Sequence, residues 1–95
     1  MEIKGKETAS KGSFYIDDDS KRILAEMTYS KAGDALIIID HTQVSDELKG
    51  KSAGKQLVSA SVDYARKHHL KILPLCPFAK SVFEKVKEFQ DVLSK

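Results

Sequence analysis

"ALIIIDHTQVSDELKGKSAGKQL", residues 35–57, changes its hydrophobic period halfway along, and that change decides the fold. Residues 35–44 are rich in branched aliphatics and apolar on both faces, which predicts a central strand covered on both sides. From Ala53 to Lys67 the period becomes helical: Ala53, Leu57, Val58, Ala60, Ser61, Tyr64 and Ala65 fall on one side, with Lys55, Gln56, Ser59, Asp63, Arg66 and Lys67 opposite. "LKILPLC" from Leu70 reads as another strand, and Pro74, which cannot donate to a ladder, marks an edge or irregularity. A strand, crossover helix and strand over residues 35–76 implies a parallel pair with a right-handed connection. Upstream, "SFYI" from Ser13 and "RILAEMTYS" from Arg22 read as strands separated by the turn signal "DDDSK". Ile23, Ala25, Met27 and Tyr29 share one face of the second. Downstream, Pro77 opens a second helix whose apolar side holds Phe78, Ala79, Val82, Phe83, Val86 and Phe89. The predicted order is β-β-β-α-β-α, an α/β (α+β) mixed sheet in a single domain over 1–95.

Composition narrows the function. The chain has 95 residues, one cysteine and a net charge of +2. The charge is too small to imply a polyanion, and the basic residues are not interleaved with exposed aromatics, so no nucleic-acid partner is expected. No stretch of 18 apolar residues occurs and residues 1–12 are polar, so neither a membrane span nor a secretory leader is expected and the cytoplasm is the expected location. A lone cysteine makes no internal disulfide, which leaves Cys76 to packing or reactivity. No metal-ligand pattern is read.

The segment between the central strand and the first helix combines glycines and lysines at a helix N-terminus, where free amides and the helix dipole attract anions. A nucleotide-triphosphate loop is excluded by spacing: "GKS" at 50–52 would need glycine at position 45, which is Ser45. A dinucleotide fingerprint fails as well. The plain alternative is a solvated loop with Ser52 capping the helix. Cys76, just before Pro77, falls at the N-cap of the second helix, where the positive helix end lowers a thiol's pKa; the plain alternative is a small buried hydrophobe. His41, at the end of the apolar run, is a candidate general base, brought near Cys76 if the strand ends face each other across an opening. Asp40 alternates to the face opposite His41 and reads as structural. His68 and His69 read as a solvated helix C-terminus.

The loop, with Lys49, Ser52 and Gly54 at the places of the pattern (Gln/Arg)-x-x-Gly-x-(Gly/Ala), resembles the acetyl-CoA loop of the GNAT superfamily of acetyltransferases. "HTQV" at 41–44, "LKGKSAGKQL" at 48–57 and "CPFA" at 76–79 resemble, in order, the HTxV, LxGKxxGxxL and CPFA motifs of a small single-domain subgroup. The resemblance implies a splayed mixed sheet with helices on both faces and acetyl-CoA (coenzyme A) as cofactor. It implies cofactor contacts from Val44, from Lys49, Gly50, Lys51 and Ser52, and from Ala53, Gly54 and Lys55 at the helix start. It implies catalytic roles for Cys76, close to the thioester, and for His41. The activity implied is N-acetyltransfer to an unidentified amine acceptor, either through an acetyl-Cys76 intermediate or directly. The alternative is a CoA-binding module with little turnover, because the chain lacks room for the N-terminal helices with which larger members hold an acceptor. A monomer or weak dimer is expected.

Overall fold

Strand follows strand across the sheet in chain order. The computed structural model describes residues 2–94 and contains β1 (Lys4–Glu7), β2 (Lys11–Asp17), β3 (Ile23–Ala32), β4 (Leu36–Val44), α1 (Ala53–His68), β5 (Lys71–Pro74) and α2 (Pro77–Lys85). Short 3-10 turns cover Asp46–Leu48 and Lys87–Val92. The order is β1-β2-β3-β4-β5, antiparallel throughout except for the parallel β4–β5 pair that α1 connects. The expected mixed α/β class holds. One strand was not foreseen: β1 is "KGKE", too polar to read as a strand, and it pairs as a short edge with β2.

The core is one cluster. Phe14, Ile16, Ala25, Met27, Tyr29, Ile37, Ile39 and Ile72 of the sheet pack against Leu57, Val58, Val62 and Ala65 of α1 and Ala79, Val82 and Phe83 of α2. Helices on both faces were expected, and so was a central strand covered on both sides; both expectations are corrected here. The chain steps from β4 to β5 through α1, and from β5 on to Leu93, which bridges Ile72 in parallel, through α2. Two right-handed connections that step in the same direction place their helices on the same face, and α1 and α2 accordingly touch. The other face, where Leu36 and Ile38 are half-buried, has no helix over it among the described residues.

The second helix is also shorter than its pattern, which runs to Phe89. It stops at Lys85, and Val86 takes an extended conformation. The side chain of Gln90 donates to the Phe83 carbonyl at 3.0 Å, and Phe89 folds edge-on to Phe83. This turn returns the chain to the sheet, where the Ser94 amide donates to Ile72 at 2.8 Å. No helix among the described residues is long and apolar enough to cross a membrane.

Carboxylates tie the edges down. Glu7 accepts from the hydroxyls of Tyr64 at 3.0 Å and Tyr29 at 3.2 Å and pairs with Lys31 at 3.0 Å, which fastens β1 to α1. The Lys31 ammonium, followed by the Tyr64 hydroxyl, holds the Glu7 carboxyl below its ordinary range. The Arg22 amide and guanidinium do the same for Asp18, and Arg66 for Asp91. A depressed carboxylate stabilises the fold above its unfolded pKa, and that contribution disappears as pH falls through the folded value. Thermal unfolding followed by circular dichroism should therefore show a midpoint steady near neutrality and falling below about pH 4. Glu7→Gln should flatten part of that fall; an unchanged profile would remove Glu7 from the account.

Candidate active site

β4 and β5 separate halfway along. Their pairing runs from Leu36↔Lys71 to Ile39↔Pro74 and ends at the proline, which has no N–H to continue it. The amides of Leu75 and Cys76 both donate to the Ile39 carbonyl, at 3.1 and 3.2 Å, while β4 continues to Val44 paired only with β3. The opening lies between residues 40–44 and the start of α2.

A bulge sits at its mouth. Tyr29 pairs with Ile39 and Thr28 with His41, so Asp40 is an extra residue on β4. The extra residue resets the alternation, and Asp40 and His41 both turn to the open face of the sheet. Strict alternation would have put Asp40 on the face opposite His41; the bulge corrects that reading. Thr42 and Val44, opposite Met27 and Ala25, turn toward the helices.

On the helix side a crevice of about 420 Å³ is lined by Val44, Lys49, Gly50, Ser52, Gly54 and Phe78, among others. Its floor is the loop read from the sequence. Leu48 anchors this loop in the core, Arg22 grips Glu47 at 2.7 Å, and Lys49 pairs with Asp46 at 2.9 Å. Gly50 has φ +80° with open space where a Cβ would project. Ser52 is also left-handed, at φ 59° and ψ 27°, and its side chain makes no capping bond. The capping role considered for Ser52 is therefore not filled, and the first-turn amides of α1 keep their donors free. The left-handed backbone also explains why a glycine suits this place in the GNAT pattern. Lys51 and Lys55 are exposed beside the loop.

Gly54 has a different neighbour from the one expected. A Cβ there would lie 2.4 Å from the ring of Phe78, so the glycine makes room for a side chain of α2. Phe78 is 43% exposed and forms one wall of the crevice. Sequence reading placed Phe78 on the apolar side of the helix and missed this role; the sole signal was its position after Pro77 in a segment carrying the thiol.

Cys76 is the N-cap of α2 with Pro77 at the first helical position, as the sequence predicts. It is 7% exposed, and its Sγ donates to Thr42 Oγ1 at 3.5 Å. Burial pushes this thiol up. The Thr42 hydroxyl, the amides of Ala79 and Phe78 in the first turn, and the Thr42 amide outweigh it, and the net direction is down. None of these amides closes a full capping bond with the sulfur. Thr42, unremarked in the sequence, is thus the partner of Cys76. His41 is not: it lines a separate cavity on the open face, and β4 stands between the two side chains.

A parted parallel pair, a bulged central strand and an uncapped, lysine-bearing helix start make up the site. The family model for GCN5-related N-acetyl-transferase matches residues 13–92, and the chain belongs to that family and is an acetyltransferase. The chain is similar to the solution structure of a GCN5-like protein from Staphylococcus aureus, with 47% identity, a TM-score of 0.75, and coverage of 98% of this chain and 87% of that one. The fold alone is shared with a ribosomal-protein-alanine N-acetyltransferase from Brucella melitensis, at 16% identity, TM-score 0.68 and coverage of 83% and 62%. It is shared likewise with Tetrahymena GCN5, at 14% identity, TM-score 0.67 and coverage of 93% and 62%. No curated protein matches the chain. Family members generally take their acetyl group from acetyl-CoA.

Proposed function

We propose that this enzyme acetylates a primary amine with acetyl-CoA, holding the cofactor in the crevice and receiving the acceptor from the open face. The observation that carries this reading is the bulged stretch of β4, which turns Thr42 toward Cys76 and Val44 into the crevice on the helix side, and Asp40 and His41 to the opposite side. The residues present fit the cofactor. Uncapped amides of Ala53, Gly54 and Lys55, the bare backbone at Gly50, and the ammonium groups of Lys51 and Lys55 suit a diphosphate, and Val44, Phe78 and Val82 suit a less polar arm. When bound, the cofactor supplies an acetyl thioester open to nucleophilic attack. His41, exposed beside the extra residue, takes the proton of the acceptor amine and passes it to water. Cys76, on the cofactor side, either receives the acetyl group or walls the thioester pocket.

Backbone NMR with acetyl-CoA is the test. Amides 50–55 should shift most, and leaving them unmoved at saturation would overturn the reading. The lowered thiol of Cys76 should be alkylated by iodoacetamide at neutral pH faster than a free cysteine of pKa about 8.5, and bound acetyl-CoA should protect it. A Cys76→Ala variant should retain cofactor affinity. Loss of an acetylated mass together with most of the transfer rate would assign a covalent route; an undiminished rate would assign direct transfer. Binding with no transfer to any amine would leave a CoA-binding module.

A further inference from the structure

The open face carries the larger cavity, of about 740 Å³, over β1 to β4. Three observations on it go beyond catalysis at His41. First, the carboxylates and ammonium groups there are unequally used. Glu26 is taken by Lys6 at 3.6 Å and Glu7 by Lys31 at 3.0 Å, whereas Asp40 accepts only the Ser30 hydroxyl, at 2.7 Å. Among the described residues neither Asp40 nor Lys11 makes an ion pair. Second, Ser13 lines the same cavity, is 3% exposed, and has a buried hydroxyl without a hydrogen-bond partner. Its cross-strand neighbours are Lys6 and Thr28, and Lys6 lies across the face toward Glu26 and the Tyr15 ring, where an exposed, weakly held side chain can be moved aside. Third, Lys11 pairs with Ser30 on β3, and Ser30 bonds Asp40 on β4, so the free cation and the free anion stand two strand spacings apart, about 10 Å.

We propose that this face is the acceptor site and takes a short zwitterionic peptide of about three residues, its ammonium at Asp40 and its carboxylate at Lys11. The proposal rests on the acetyltransferase reading above and adds the acceptor's class. An ammonium at Asp40 lies beside His41, the side chain that receives its proton. An extended tripeptide spans the interval between the charges over Ser30, and its carboxylate at Lys11 lies beside Ser13, two residues along the same face of β2, giving the orphaned hydroxyl an acceptor. The cavity is several times larger than a simple monoamine needs and within the range of sites for molecules of this size.

Triglycine is the probe, titrated into the full chain without cofactor and followed by backbone NMR, beside N-acetyltriglycine, which lacks the ammonium, and triglycinamide, which lacks the carboxylate. Triglycine should shift residues 11–13, 28–30 and 40–41, and each blocked peptide should bind about tenfold more weakly, the loss of one charge-assisted contact. Asp40→Asn should cost triglycine a similar factor, and Lys11→Met should abolish the preference for triglycine over triglycinamide. Ser13→Ala should weaken triglycine binding without lowering the unfolding midpoint, because no folded-state bond is lost. Equal binding of triglycine and N-acetyltriglycine, or parental affinity in Asp40→Asn, would overturn the proposal. Acetyl-CoA is titrated separately. Shifts at 50–55 with a silent open face refute the peptide alone, and silence at 50–55 refutes the enzyme reading whatever the peptide does.

Discussion

Phe83→Ala is expected to remove a large fraction of the protein's stability. The ring is 1% exposed, at the centre of the contact between α2, α1 and the sheet, and meets Phe89 edge-on with centroids 6.2 Å apart. Removing a buried phenylalanine costs about 3–5 kcal/mol, against a total stability of about 5–14 kcal/mol for a chain of this length. The urea midpoint should fall by about 2 M, given a slope of about 2 kcal/mol per molar. A fall under about 0.5 M would show that α2 does not depend on this ring. Such an outcome would also detach Cys76 from its support, since α2 sets the sulfur against Thr42.

The second large effect is on binding. Gly54→Val places a branched Cβ where the Phe78 ring now lies, 2.4 Å from the nearest ring atom. The ring, 43% exposed, is free to swing, and the space beside it is the crevice. Acetyl-CoA affinity should fall at least about tenfold, or about 1.4 kcal/mol, while the unfolding midpoint changes little, because the displaced ring is already half in water. Adding Phe78→Ala should recover part of the affinity. Isothermal titration of the single and double variants measures the coupling between the two sites. Absence of rescue, or a matching loss from a valine at Ser59, would place the effect in general folding and not in the crevice.

Much of the fold was legible because its periods are strong. Residues 35–76 pass from an unbroken aliphatic run to a helical period and back to a short aliphatic run, as a strand, helix and strand should, and Pro77 fixes where α2 begins. The illegible parts depend on partners far along the chain. β1 is a strand only because β2 offers it an edge and because Glu7 reaches Tyr29 and Tyr64. The sidedness of β4 depends on one extra residue, which the string "IIIDHTQV" does not reveal, since strict alternation and a bulge at Asp40 read equally well. In the site, the lysine loop and Cys76 were found from their places at helix starts. The separation of His41 from Cys76, the role of Phe78 against Gly54 and the free hydroxyl of Ser13 each required the face on which a neighbour falls.

The two margins of the sheet differ in kind. One is β1, four residues long with lysines at two of them; the other is closed by the single bridge between Ile72 and Leu93, held by Arg66 and Lys71 on Asp91. Lysines repel a second strand at the first margin, and the returning tail occupies the second. If the tail lifts away, the backbone of "KIL" at 71–73 becomes a template for intermolecular pairing. Residues 91–94, remote from any chemistry, therefore govern how concentrated a solution of this protein can become before it precipitates.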